Sequence, residues 1–214
     1  MKQLLATNKY FFGSVILFSV LESILLAITT KAEVTLWVNT HEYVMLDQSL
    51  LFVNNGGTTL FSVAVVLLFG ICKGWRMVLK VSACLLLVML VTQFAKHILF
   101  PGTPRPTLYF EPGALRLIDG VKQLTTESFP SGHTSASFAL ATFFALYWPH
   151  KQWHWLLALL AFTVGYARVY LSQHFITDVY AGMLLGVILT TLIYHFYPDK
   201  WETKRRSTGD AQQI

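Results

Sequence analysis

Apolar residues run along this chain in long blocks separated by short polar stretches. Six blocks stand out: about Tyr10 to Thr30, Thr58 to Cys72, Met77 to Lys96, Ser131 to Trp148, Trp153 to Tyr170 and Thr177 to Tyr197. A hydrocarbon core of ~30 Å takes about 20 helical residues to cross. The pattern therefore predicts an all-α, integral-membrane bundle of six transmembrane helices. Between the first two blocks, "LWVNTHEYVMLDQSLLFV" alternates apolar and polar residues. Trp37, Val44 and Leu51 would share one face there, as an interfacial helix or as an ordinary amphipathic connector. The first block follows Lys2 and Lys9, is longer than a signal core and has no A-x-A site after it. It reads as an uncleaved anchor.

Composition agrees with the pattern. The 214 residues are 54% hydrophobic and 13% charged, with mean hydropathy +0.52, whereas soluble domains carry roughly 25% charged residues. No polar linker marks a second domain, so residues 1–214 are expected to form one unit, with chemistry between 96 and 178 and a tail from about 198. The net charge of +5 is too scattered to suggest nucleic acid. Cys72 and Cys84 both fall in apolar blocks and read as small core residues, without a disulfide framework or a C-x-x-C motif.

Charge placement sets the expected orientation. Lys2, Lys9, Lys73, Arg76, Lys80, Lys151, Lys200, Lys204, Arg205 and Arg206 fall on one side of a six-span chain. Lys31, Lys96, Arg105, Arg116, Lys122 and Arg168 fall on the other. The richer side should be cytoplasmic and hold both termini. Five tryptophans (75, 148, 153, 155 and 201) sit at that inner edge, as an aromatic belt would. One connection is unusually long: residues 100–130, between the third and fourth spans, hold prolines 101, 104, 106, 112 and 130. Loops of this length are usually functional or disordered, and the "GTPRPTLYF" and "LRLIDGV" segments favour a partly ordered, functional loop.

The same topology gathers reactive residues on the outer side. Lys96 ends the third span, Arg105 follows it, "PSGH" opens the fourth, and Arg168, His174 and Asp178 lie where the fifth meets the sixth. Singly, each has a plain alternative: Lys96 and Arg168 as interfacial snorkellers, Arg105 as a loop charge, Ser131 and Gly132 as a helix start, and His133 as a satisfied headgroup-level histidine. Together they describe a phosphate cradle. Three cations would repel one another without an anion between them, and arginine's planar fork suits phosphate. The first turn of the fourth helix offers unpaired N–H groups, Gly132 permits close approach, and Ser131 adds a hydroxyl. His174 and Asp178, four apart, share a helix face, so the carboxylate can orient the imidazole as a nucleophile toward phosphorus. His133 is then the general acid and base. Gly182 and Gly186 continue that stripe and should let the sixth helix pack closely.

These residues resemble the type 2 phosphatidic acid phosphatase superfamily, which has three motifs. Pro130-Ser131-Gly132-His133 matches the second intact. Ala167-Arg168, then His174 and Asp178, matches the third with alanine in place of its serine. Lys96 and Arg105-Pro106 match the first, with eight residues between lysine and arginine in place of six. The resemblance covers the chain from the third span to the sixth. It implies a metal-independent phosphatase without cofactor, with His174 as nucleophile and His133 as acid and base. The substrate it implies is a lipid phosphate monoester or diphosphate, met at the extracytoplasmic face of a membrane such as the bacterial inner membrane. Neither the lipid nor the oligomeric state is legible.

Other classes stay open on the residues alone. His133, His174 and Asp178 could form a two-histidine, one-carboxylate metal site, although the three cations oppose a divalent ion. A haloperoxidase on a related anion site is disfavoured by six spans. A lipid or ion transporter would place its ionisable groups near the bilayer midplane, where only Glu22 falls, and a buried structural hydrogen bond suits that residue better.

Overall fold

The computed structural model describes residues 1–41 and 43–196. The expected tail, the end of the last block at Tyr197, and Trp201, Lys200, Lys204, Arg205 and Arg206 lie outside the described residues. The described residues are 77% helix, with no strand among them. The helices are α1 (Lys2–Thr7), α2 (Lys9–Ile28), α3 (Lys31–Thr40), α4 (Val44–Asn54), α5 (Thr59–Lys73), α6 (Trp75–Phe94), α7 (Pro106–Tyr109), α8 (Gly132–Tyr147), α9 (His154–Tyr170) and α10 (Ile176–Phe196). All six apolar blocks are helical, each within about two residues of its expected ends.

Local chemistry sets several of these ends. Thr30 and Glu33 form a capping box at the start of α3, with Glu33 N–H donating to Thr30 Oγ1 at 3.2 Å and Thr30 N–H to the Glu33 carboxylate at 2.7 Å. Gly74, at φ +87°, closes α5 and turns the chain into α6. Ser131 caps α8, and Pro149 stops it. The alternating stretch is broken into α3 and α4, with Trp37 turned outward.

Among the described residues, three helices are long and apolar enough to cross a membrane: Lys9–Ile28, Trp75–Leu99 and Ile176–Phe196. A fourth candidate is the pair Met45–Gly57 and Thr59–Lys73, bent by 63°. The chain is thus a multi-pass membrane protein. Helices α8 and α9, of 16 and 17 residues, are shorter than a full crossing.

The centre of the bundle is α8, which packs most extensively on α10 and then on α9 and α6. Its contact with α10 is close because of two glycines. A Cβ at Gly182 would lie 2.6 Å from the Ser131 carbonyl oxygen, and one at Gly186 would run into the Ser135 carbonyl. The outer surface is apolar instead: α2 exposes Ile16, Leu17, Leu21 and Ile24, and α6 exposes Leu79, Leu86 and Leu90, as lipid contact requires. Cys84 is buried as expected, but Cys72 is exposed at the end of α5, because the outward side of that helix is as apolar as its core side. Glu22 is buried, and its Oε2 has no hydrogen-bond partner among the described residues.

Candidate active site

The long connection folds back on itself at one end of the bundle. Arg105 N–H donates to the Thr125 carbonyl at 2.8 Å, Ser128 N–H to the Thr103 carbonyl at 3.2 Å, and the Thr107 hydroxyl to the Leu124 carbonyl at 2.7 Å. Its far lobe is tied down by Arg116, whose guanidinium pairs with the Asp47 carboxylate on α4. The Arg116 peptide group also exchanges two 2.9 Å hydrogen bonds with the Asn39 side chain. The loop is ordered across α3, α4 and α9.

This loop carries two cations inward. Beyond Phe94, helix α6 widens into a π-helical turn, Ala95–Leu99, in which Phe100 N–H reaches the Ala95 carbonyl at 2.8 Å. Such turns rotate side chains out of α-helical register, and Lys96, within it, is buried. Its Nζ donates to the Glu127 carbonyl at 2.7 Å. Arg105 is buried beside it and donates from Nε to the Thr126 carbonyl (2.8 Å), from one terminal nitrogen to the Gln173 carbonyl (2.8 Å) and from the other to the Glu127 carbonyl (3.2 Å). Two cations thus share one neutral carbonyl, presented by Glu127 in the left-handed region at φ 59°. The residues between Lys96 and Arg105 are accommodated by the wide turn and the turn at Gly102.

The third cation comes from α9. Arg168 is buried, with one arm donating to Asn54 Oδ1 at 2.6 Å and the other reaching Gln173 Oε1 at 3.4 Å. Its Nε is buried without a hydrogen-bond partner among the described residues, a donor still open to an acceptor. Ala167, where the related motif has serine, is fully buried in an apolar cluster with Val34, Val38 and Tyr170, so that position faces packing.

His174 is 1% exposed. Its Nδ1 lies 3.3 Å from Asp178 Oδ2, and its Nε2 lies 3.3 Å from an Arg105 nitrogen. The same Asp178 oxygen accepts from Phe175 N–H at 2.9 Å and from the Ser128 hydroxyl at 2.5 Å. A carboxylate held this way fixes the proton on Nδ1 and leaves the Nε2 lone pair facing the cations. Burial, followed by Arg168, Arg105 and Lys96, holds the His174 pKa well below the usual histidine range, so the ring is neutral at pH 7. Burial also lowers the Arg105 pKa, though a guanidinium remains charged.

His133, in the first turn of α8, faces the same space. A cavity of about 790 Å³ has Lys96, Arg105, His133, Arg168 and His174 at one end. It continues between α5 and α6, where Val63, Val66, Leu67, Val78, Leu85 and Met89 line it. Gly132 is in its wall, with the amides of α8 that no helix can satisfy internally. Ser131 is placed differently: fully buried, it accepts from the Thr134 hydroxyl at 2.9 Å and spends its own N–H on the Asp178 carbonyl at 2.9 Å. It caps and docks α8 and stands outside the cavity wall. Among the described residues, no group of three His, Cys, Asp or Glu could hold a metal ion.

The structure therefore brings together seven of the eight residues expected at the site, with Ser131 behind them. It adds Ser128, Glu127, Gln173 and Asn54, which hold Asp178, Lys96 and the two arginines. Ser128 stands two residues before Pro130 in the sequence, but its partner is set by the loop's return and no local pattern announces it.

The geometry agrees with three comparisons. Residues 77–202 match the family described as the PAP2 superfamily. The chain is 34% identical over 127 residues to lipid phosphate phosphatase 1 of Arabidopsis thaliana, covering 47% of this chain and 39% of that one. It is 38% identical over 78 residues to phosphatidylglycerophosphatase B of Bacillus subtilis, covering 32% of this chain and 38% of that one. The chain thus spans well under two thirds of these relatives' length. Its fold is similar to the crystal structure of Aquifex aeolicus LpxE, with TM-score 0.68 and 24% identity over 76% of this chain and 93% of that one.

Proposed function

The chain belongs to the PAP2 superfamily, and we propose that it is a membrane phosphatase acting on a lipid phosphate monoester or diphosphate at the extracytoplasmic face. The observation that carries this reading is one cavity with two chemistries: two histidines and three cations at one end, and an apolar trough leading away from them between α5 and α6. A phosphate headgroup suits the first and a lipid tail the second.

In the proposed reaction, Lys96, Arg105, the open Nε of Arg168 and the α8 amides bind the phosphoryl oxygens and stabilise the charge they gain. His174 Nε2 forms the bond to phosphorus as the bond to the leaving oxygen breaks, and His133 gives that oxygen its proton. Asp178 holds the Nδ1 proton and stabilises the cationic phosphohistidine. His133 then takes a proton from water, whose oxygen displaces Nε2 and frees inorganic phosphate. These roles require no metal.

Six crossings, by α2, α5, α6, α8, α9 and α10, complete the reading. At 1.5 Å per residue, α8 and α9 cover about 24–26 Å of a ~30 Å core, which sets the cradle at their outer end just beneath the headgroups. Trp75, Trp148, Trp153 and Trp155 are all exposed at the opposite end, which supports a cytoplasmic belt there.

Phosphate release from purified protein tests this against a panel of phosphatidate, phosphatidylglycerophosphate, undecaprenyl diphosphate and a lipid A phosphate, with and without chelator. Activity is expected to survive the chelator and to vanish in His174→Ala, together with acid-labile label trapped from a radioactive substrate. Full activity in that variant would overturn the nucleophile, and chelator-sensitive activity restored by metal would overturn the mechanism.

A further inference from the structure

The segment Asn54-Asn55-Gly56-Gly57, which runs from the last residue of α4 toward α5, precedes the family-matched region and carries none of its motifs. Two of its residues nevertheless touch the reactive groups. Asn54, the last residue of α4, accepts the Arg168 hydrogen bond at 2.6 Å. Gly57 lies directly against His133: a Cβ there would be 2.6 Å from His133 Cβ and 2.9 Å from its Cα and Cδ2. The segment is itself anchored, since the Ser137 hydroxyl donates to the Gly56 carbonyl at 3.3 Å and a Cβ at Gly56 would be 3.1 Å from Val164.

We propose that this segment is a fourth component of the active site, in which Asn54 positions Arg168 and Gly57 positions His133. The proposal rests on the phosphatase reading above. Its chemistry follows from the residue types. An amide oxygen holds a guanidinium without neutralising it, so Arg168 keeps its full charge for a phosphoryl group; a carboxylate in that place would take up the charge. A glycine lets the chain form a flat wall behind the His133 ring, and any side chain would push the imidazole toward the cavity and off the line to the leaving oxygen. Because α5 begins at Thr59, two residues on, the same segment joins the trough wall to the two groups it sets.

The two roles give different signatures in the full-length protein, assayed in mixed micelles. Asn54→Ala is expected to raise the inhibition constant for orthovanadate and the KM about 10-fold, the scale of one hydrogen bond to a charged group. Asn54→Asp should lower kcat/KM further. Gly57→Ala is expected to lower kcat/KM on a long-chain alkyl phosphate at least 10-fold and to leave kcat/KM on nitrophenyl phosphate nearly unchanged, because kcat/KM reports phosphoryl transfer to His174 and nitrophenolate leaves without a proton. Vanadate inhibition unchanged in both Asn54 variants, or an equal loss of kcat/KM on both esters in Gly57→Ala, would overturn the proposal. If Gly57→Ala does not fold, as judged by size exclusion and thermal unfolding, the Asn54 pair still decides the Arg168 half. A wild-type chain that releases phosphate from neither ester would instead overturn the phosphatase reading itself.

Discussion

Asp178 Oδ2 receives three donors, from Ser128, Phe175 and His174, and this one oxygen organises the reactive end of the molecule. Removing Ser128's hydroxyl deletes one hydrogen bond to a charged acceptor, of order 1.5–3 kcal/mol. Ser128→Ala should therefore lower kcat about 10- to 100-fold with little change in KM, and an unchanged kcat would show that the bond does not orient the His174 ring. The pH dependence follows from His174. Its pKa is lowered, so protons do not claim the Nε2 lone pair until the pH is well below 6.5. The acid limb of kcat/KM, after correction for the substrate's second ionisation near pH 6, should lie below 6.5. A residual limb at 6.5 would mean that the ring titrates as if exposed. The same shift has a stability consequence: below pH 6.5 the unfolded chain takes up this proton and the folded chain does not, so acid erodes stability. At this scale the sequence was informative wherever a residue's chemistry announced itself, as with His133, His174, Asp178 and the cations. It was silent on Glu127, which acts through a backbone carbonyl that any residue would supply, and on Gln173, which gives its carbonyl to Arg105 and its side-chain oxygen to Arg168.

At the scale of elements, the join between α8 and α10 sets the distance between His133 and His174. Gly182 faces the Ser131 carbonyl, and Ser131 N–H is bonded to the Asp178 carbonyl, so the helix bearing His133 and the helix that follows His174 are spliced at their ends. Gly182→Ala forces a methyl into that join. Overpacking of this kind costs about 1–3 kcal/mol, and thermal unfolding in detergent should fall by several degrees together with loss of activity. An unshifted midpoint would show that the join is loose. The glycine stripe was legible because small residues four apart have few other uses in an apolar helix. The π-helical turn at Ala95–Leu99 was not, since it is a backbone adjustment that lets Lys96 reach inward. Nor was Ser131's second task, because a helix cap and a phosphate donor look alike until the partner of the hydroxyl is known.

For the whole molecule, the apolar blocks foretold the helices and their order. What they could not foretell was the trough, because a lined cavity and a packed seam use the same valines and leucines. The trough can be tested by filling it: Met89→Trp or Val66→Trp should depress kcat/KM for a long-chain lipid phosphate at least 10-fold while sparing a short-chain phosphate ester. Equal effects on both would place the tail elsewhere.

The splice between α8 and α10 also separates two mechanical functions. Both histidines ride on one fused pair, whereas the entry trough has α5 as its opposite wall. A bilayer thinner or thicker than the bundle would tilt the less constrained helices first. In vesicles of short- and long-chain phosphatidylcholine, apparent KM should therefore drift with membrane thickness while kcat holds steady. Bilayer thickness would then act as a dial on substrate capture and leave the turnover of captured lipid untouched.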